Sequence, residues 1–261
     1  MINIFIIIVL YNKRLCDSSA LKSLNAAKAN CKSNISFIII DNSTDDQIKA
    51  INKRGNVDFE YIDMNGNKGL SVAYNCAISN IEKNPYNWIV TSDQDTDYPI
   101  DYLKKMERQM LDSNKMVIAP QVYNTTGIMS PFRLRFDCFR DIKRVINSGL
   151  AIRSDVFTQI KYNEGLFLDF VDFDLSNSLF QKNIGIEVTD IKLYQDFSGT
   201  DYSNTAATQK RYEIYLNDAK KYYKFWKHSI IAKRFYVFKR TISLSLRFKS
   251  FTFFKLFITN K

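Results

Sequence analysis

Trp88-Ile89-Val90-Thr91-Ser92-Asp93-Gln94-Asp95 is the stretch on which the reading of this 261-residue chain turns. A short apolar and β-branched run that stops at two acids reads as a strand buried on both faces, of the kind found in parallel sheets. Open α/β sheets bind ligands outside the carboxyl ends of their strands, and the two carboxylates lie at such an end.

Working outward, strands and helices alternate. Strands are expected at 2–10, 35–41, 57–63, 87–92 and 116–122, with helices at roughly 18–31, 45–53, 69–82 and 99–112. This alternation predicts a mostly parallel α/β sheet with right-handed crossovers. Each of the first four strands ends in polar residues: Tyr11 and Asn12, then Asp41-Asn42-Ser43, then Asn65 and Asn67, then Asp93 and Asp95. Singly, such residues also serve as turn formers and helix caps. Together they place four polar ends on one edge.

Beyond 122 the pattern loosens. Residues 123–143 read as an irregular loop over that edge, 144–152 as a strand interrupted at Asn147-Ser148-Gly149, 172–182 as a helix and 185–189 as a strand. An acidic cluster, Asp169, Asp172 and Asp174, opens the helix; an acid there can also be a first-turn partner of the helix dipole.

Composition removes several chemistries. His228 is the one histidine, so neither a Ser-His-Asp triad nor an H-E-x-x-H zinc site can form. The four cysteines form no C-x-x-C pair, which fits a reduced, cytoplasmic setting. No G-x-G-x-x-G follows the first strand and no P-loop is present, so phosphate must be held by other means. The opening apolar run, Ile2 to Leu10, is about half the ~20 residues needed to span a bilayer and reads as a strand. Two aspartates at a strand end suit a hard cation such as Mg²⁺ or Mn²⁺, which takes carboxylate, phosphate and water oxygens.

These motifs occur in an order. Val9-Leu10-Tyr11-Asn12, Asp41-Asn42-Ser43, Asn67-Lys68-Gly69 with Ala73-Tyr74-Asn75, Ser92-Asp93-Gln94-Asp95, Asn147-Ser148-Gly149 and Leu166 to Asp172 together resemble the family-2 glycosyltransferases of the GT-A fold, in particular the bacterial rhamnosyltransferase-like branch. The resemblance implies a Rossmann-like, mostly parallel mixed sheet flanked by helices, with a catalytic domain at 1–204. Residues 1–122 would be its nucleotide-sugar half and 123–204 its acceptor half. It implies that Leu10, Tyr11, Asn12, Asp41, Asn67 and Asn75 line the nucleotide, with Asn147 also on the donor side. Asp93 would touch ribose or metal, Asp95 would be the main ligand of Mn²⁺ or Mg²⁺, and Asp172 the catalytic base, with Asp169 and Asp174 as the other candidates. Two family residues are missing: a histidine near the metal, for which Gln195 or Asp196 would substitute, and an arginine on the acidic helix, where Ser176, Asn177 and Ser178 stand. The implied activity is inverting transfer from dTDP-rhamnose, a UDP-hexose or UDP-galactofuranose to a lipid-linked or polysaccharide acceptor in bacterial surface-glycan synthesis. The competing readings are a sugar-phosphate nucleotidyltransferase, which lacks its glycine-rich loop here, and a degenerate GT-A scaffold.

The net charge of +10 is concentrated after residue 209, where fourteen Lys and Arg face only Glu213 and Asp218. In this helical extension, 205–261, cations alternate with Tyr222, Tyr223, Phe225, Trp226, Phe235, Tyr236, Phe238 and further phenylalanines. Basic aromatic helices of this type lie on anionic membranes, here the cytoplasmic face of the inner membrane. The alternative is packing on the catalytic domain or on another copy of the chain. No motif points to nucleic acid.

Overall fold

The computed structural model describes residues 1–55, 59–125, 127–133, 142–195, 205–227 and 230–259, with the side chains of 205 and 230–233 excepted. Among these residues nine strands form one mixed sheet: β1 (Asn3–Leu10), β2 (Asn34–Asp41), β3 (Glu60–Asp63), β4 (Asn87–Asp93), β5 (Thr96–Asp97), β6 (Val117–Asn124), β7 (Gly127–Ser130), β8 (Leu150–Arg153) and β9 (Ile186–Gln195). The order is β3-β2-β1-β4-β8-β6-β9-β5, with β7 added to β6. β1, β2, β3 and β4 are mutually parallel where they pair, and register sets Leu10 opposite Asp41, Asp41 opposite Asp63 and Val9 opposite Asp93. The four polar strand ends therefore share one edge.

Alternation along β1 divides the core into two layers. Ile4, Ile6, Ile8 and Leu10 face α1 (Ser19–Lys28) and α4 (Tyr102–Asp112), packing with Leu21, Leu24, Leu103 and Met106. Ile7 and Val9 face the opposite layer, which holds α3 (Leu70–Ser79) and α5 (Val171–Gln181). A further helix, α2 (Asp46–Gly55), follows β2 and buries Asn52.

The second half departs from the sequence expectation. The strand expected at 144–152 is confined to Leu150–Arg153 and runs antiparallel to β4, while Arg144 makes an isolated bridge to Phe132. Asn147-Ser148-Gly149 forms a turn laid against the end of β4, where the Gly149 N–H donates to the Thr91 carbonyl. Gly149 has φ +76°, and a Cβ there would lie 2.5 Å from Leu193 Cδ1, so packing demands glycine. Part of the expected loop, Gly127–Ser130, is β7; residue 126 and residues 134–141 lie outside the described residues. The last expected strand, 185–189, continues to Gln195, while Asp196 and His228 lie outside the described residues.

The extension is built from α6 (Thr205–Phe225), α7 (Ile230–Phe248) and α8 (Thr252–Thr259). Its Tyr212, Tyr215, Tyr222, Tyr223, Trp226, Val237, Leu244 and Phe253 are buried in the same core as Ile7, Val9 and α5. Polar contacts follow the same route. Both oxygens of buried Asp218 accept backbone N–H groups, from Phe167 at 3.0 Å, Leu168 at 2.8 Å and Asp169 at 2.9 Å. Rings of Tyr215, Tyr222 and Tyr223 surround Phe170. Among the described residues no helix is long and apolar enough to cross a membrane.

Asp218→Ala removes the acceptor of three backbone donors and is expected to cost about 3 kcal/mol, read as a lower urea midpoint. Asp218→Asn keeps one acceptor oxygen and should cost less. Unchanged stability in the alanine variant would show that the 167–169 loop is held by other contacts.

Candidate functional site

The strand-end loops are stitched together by their own polar side chains. Asn12, at φ +48°, donates its N–H to Ser43 Oγ at 2.8 Å and accepts from the Thr44 N–H at 2.9 Å. Asn42 accepts from the Lys68 N–H and donates to the Gly69 carbonyl, while Asn67 accepts from the Gly69 N–H. Asp41 is fully buried, with one oxygen accepting from the Ser43 N–H and the other from Asn52 Nδ2 at 2.9 Å and Tyr61 Oη at 2.7 Å. Its carboxylate shapes the loop from beneath. Leu10 is likewise wholly buried, whereas Tyr11 is exposed, with its N–H donating to Gln94 Oε1. Asn75 is committed elsewhere: its amide holds the Tyr162 backbone and Glu164.

The acids meet where β4, β9 and the Asn147–Gly149 turn converge. Thr96 of β5 pairs with Gln195, which sets that side chain beside both aspartates. Gln195 Nε2 donates to Asp93 Oδ2 at 2.9 Å and to Asp95 Oδ1 at 3.2 Å. Ser148 Oγ lies 2.9 Å from Asp93 Oδ2 and 3.1 Å from Gln195 Oε1. Burial, followed by the Asp95 charge, pushes the Asp93 carboxyl upward, and the bonds from Gln195 and Ser148 pull it back. Two hard carboxylates fit Mn²⁺ or Mg²⁺ in donor chemistry, but the point between them is held by an amide nitrogen, which cannot ligate a cation. Among the described residues no three His, Cys, Asp or Glu side chains gather as a metal centre.

The three acids of the second cluster separate sharply. Asp174 is buried, accepting from Trp226 Nε1 at 2.7 Å and Asn163 Nδ2 at 3.3 Å. Asp169 is paired with Arg211 and lies 3.6 Å from Arg240 Nη1. Of the three, Asp172, in the first turn of α5, has an oxygen that is both shut off from solvent and unpartnered: its Oδ1 makes no hydrogen bond among the described residues. Burial above all, then the Asp93 charge, raises its carboxyl to about 8 against a backbone bond from Asn147.

Residues without an assigned role in the sequence reading pack around Asn147. Tyr162 Oη donates to Asn147 Oδ1 at 2.9 Å, and its ring stacks on Tyr74 at 4.9 Å. Tyr74 Oη and Asn147 Nδ2 are also buried without hydrogen-bond partners among the described residues, and Tyr74 feels the charges of Asp93 and Asp172. Tyr74 stood in a motif quoted above without a role, Asn147 was expected on the donor side, and Tyr162 carried no signal. On α5, where the expected arginine is missing, Asn177 Oδ1 accepts from Arg144 Nη2 at 2.8 Å. A separate cleft of about 310 Å³ opens among Arg14, Cys16, Lys22, Asn25 and Ile51, and none of the acids lines it.

This geometry meets an independent match. A family model described as "Glycosyl transferase family 2" fits residues 5–162, more than half the chain. Two crystal structures of TarS from S. aureus resemble it. The first, TarS 1–349, has TM-score 0.50 and 16% identity over 85% of this chain and 65% of that one. The second has TM-score 0.53 and 17% identity over 85% of this chain and 40% of the TarS chain. At these identities the likeness is one of fold, and this chain spans less than two thirds of either TarS chain. No curated protein matches the chain in sequence. The mixed sheet with its aligned strand ends is that of the GT-A fold, carrying extra C-terminal helices, and the chain belongs to glycosyl transferase family 2.

Proposed function

We propose that this chain is an inverting glycosyltransferase that moves one sugar from a nucleoside-diphosphate donor to a hydroxyl of an acceptor glycan. The observation that carries the reading is Asp172, a half-buried residue whose carboxyl keeps a solvent-shut, unpartnered oxygen and is close enough to Asp93 to feel its charge. The ionised Asp172 takes the proton of the acceptor hydroxyl as that oxygen attacks the anomeric carbon. The bond from that carbon to the diphosphate breaks on the opposite face, and its electron pair leaves with the diphosphate. General-base assistance of this kind is worth ~10²–10⁴-fold. Asp93 and Asp95 face the diphosphate, and Mn²⁺ or Mg²⁺ bound to them supplies neutralisation of the leaving group's charge. Asn12, Asn67 and the exposed Tyr11 border the nucleotide, with Asp41 and Leu10 supporting that wall from within.

The rhamnosyltransferase-like motifs favour dTDP-rhamnose, with a UDP-hexose or UDP-galactofuranose as the alternatives. A lipid-linked acceptor at the cytoplasmic membrane face would explain the extension. Its buried side packs on the core, yet Phe251 is 86% and Leu246 73% exposed, among Arg247, Lys249 and Lys255. Apolar burial combined with basic charge is the pattern of interfacial helices.

Asp172→Asn is expected to abolish transfer from a panel of dTDP- and UDP-sugars while raising the melting temperature at neutral pH. The sign follows from linkage: the folded carboxyl stays protonated up to about pH 8, whereas the unfolded one ionises near 4, so stability falls as pH rises between them. Transfer, which needs the ionised form, should climb with pH and level off above about 8. A variant that retains activity removes Asp172 from the base role. On vesicles containing phosphatidylglycerol, the full chain should float and the Leu246→Glu, Phe251→Glu double variant should not; equal flotation would end the membrane reading.

A further inference from the structure

Gln195 occupies the point between the two strand-end carboxylates. Its Nε2 reaches both Asp93 Oδ2 and Asp95 Oδ1, and its Oε1 lies against Ser148 Oγ. The side chain is buried, at 5% exposure, and β9 pairs at this residue with Thr96, so the amide has little freedom to leave. It can, however, turn over in place. Ser148 Oγ both donates and accepts, and Thr96 Oγ1 lies 3.1 Å from it, so the hydroxyl can satisfy either end of the amide.

We propose that Gln195 is a built-in cation surrogate: its amide N–H groups bridge Asp93 and Asp95 in the metal-free chain, so Mn²⁺ or Mg²⁺ binds appreciably only together with a nucleoside diphosphate. In the turned state Oε1 would be free to meet a cation, Nε2 would donate to Ser148 Oγ, and the hydroxyl hydrogen would point to Asp93. Without phosphate oxygens to complete the coordination, that turn exchanges two charge-assisted hydrogen bonds for an incomplete oxygen shell. With them, the exchange favours the cation. Metal and nucleotide affinities are thereby coupled, and the coupling is reciprocal. The nucleotide half of this statement rests on the donor reading above; the block on free metal does not.

The test is Mn²⁺ binding followed by electron paramagnetic resonance, with UDP or dTDP present or absent. For the natural chain, the nucleotide is expected to tighten Mn²⁺ at least ~10-fold. Gln195→Glu and Gln195→His each replace the donor by a ligand and should raise Mn²⁺ affinity of the nucleotide-free chain by ~10–100-fold. Circular dichroism checks that each variant is folded. The proposal is overturned if the natural chain binds Mn²⁺ equally well with and without a nucleotide it demonstrably binds, or if both folded variants bind free Mn²⁺ no better than it does. If neither nucleotide binds under any condition while the variants gain Mn²⁺ affinity, the donor reading falls and the Gln195 block stands.

Discussion

One carboxylate organises the chemistry of this protein without touching it. Asp218, on a helix added after the sheet, accepts the backbone N–H groups of Phe167, Leu168 and Asp169. Three donors in a row can converge on one group only if the chain curls around it. The curl ends at Phe170, whose φ of +63° costs a non-glycine residue about 1–2 kcal/mol. Four aromatic partners hold that ring: Phe173, Tyr215, Tyr222 and Tyr223. On the other side, the Leu70 N–H at the start of α3 donates to the Phe167 carbonyl at 2.6 Å. Gly69 has no room for a Cβ, which would sit 2.8 Å from that carbonyl oxygen. The start of α5, and with it Asp172, is fixed between these two supports.

The extension is therefore part of the same packed body as the sheet. Its cations serve two purposes: Arg211 and Arg240 grip Asp169, while others lie on the outer surface beside exposed aromatics. Arg240 also stacks over the buried ring of Tyr215 at 4.1 Å, which ties its grip on Asp169 to the packed aromatics. The choice between membrane contact and packing is thus not exclusive, because opposite faces of the same helices carry each pattern.

The first half of the fold was legible because β1, β2 and β4 are apolar runs buried on both sides, and their parallel pairing brings their polar ends to one edge. β8 was drawn too long, since Arg144 to Ile146 are buried by tertiary contacts that mimic a strand's apolarity. β5 and β7 were missed; at two and four residues they carry no periodic signal. Among Asp169, Asp172 and Asp174, sequence named the cluster and favoured Asp172 by resemblance, yet the physical distinction lies in partners about 40–50 residues away: Arg211 for the first, Trp226 for the third. Asp218 stood out only as one of two acids in a basic tail.

The two acidic centres handle their charge in opposite ways. At Asp93 and Asp95 like charges stand close, and the protein supplies N–H and O–H groups from Gln195 and Ser148 that soften the repulsion. At Asp172 it withholds such groups from one oxygen, leaving burial and the Asp93 charge to raise the carboxyl. Hydrogen-bond donors stabilise a carboxylate and weaken it as a base; their absence does the reverse. In the proposed reaction, a base that takes a proton from an alcohol gains from the second environment, whereas a pair that faces a cation and a diphosphate gains from the donors of the first. Asn147 works at the junction, with its backbone N–H directed to Asp172 and its side-chain oxygen held by Tyr162. Its turn, carrying Ser148 to Asp93 in the next residue, keeps the two environments adjacent without merging them.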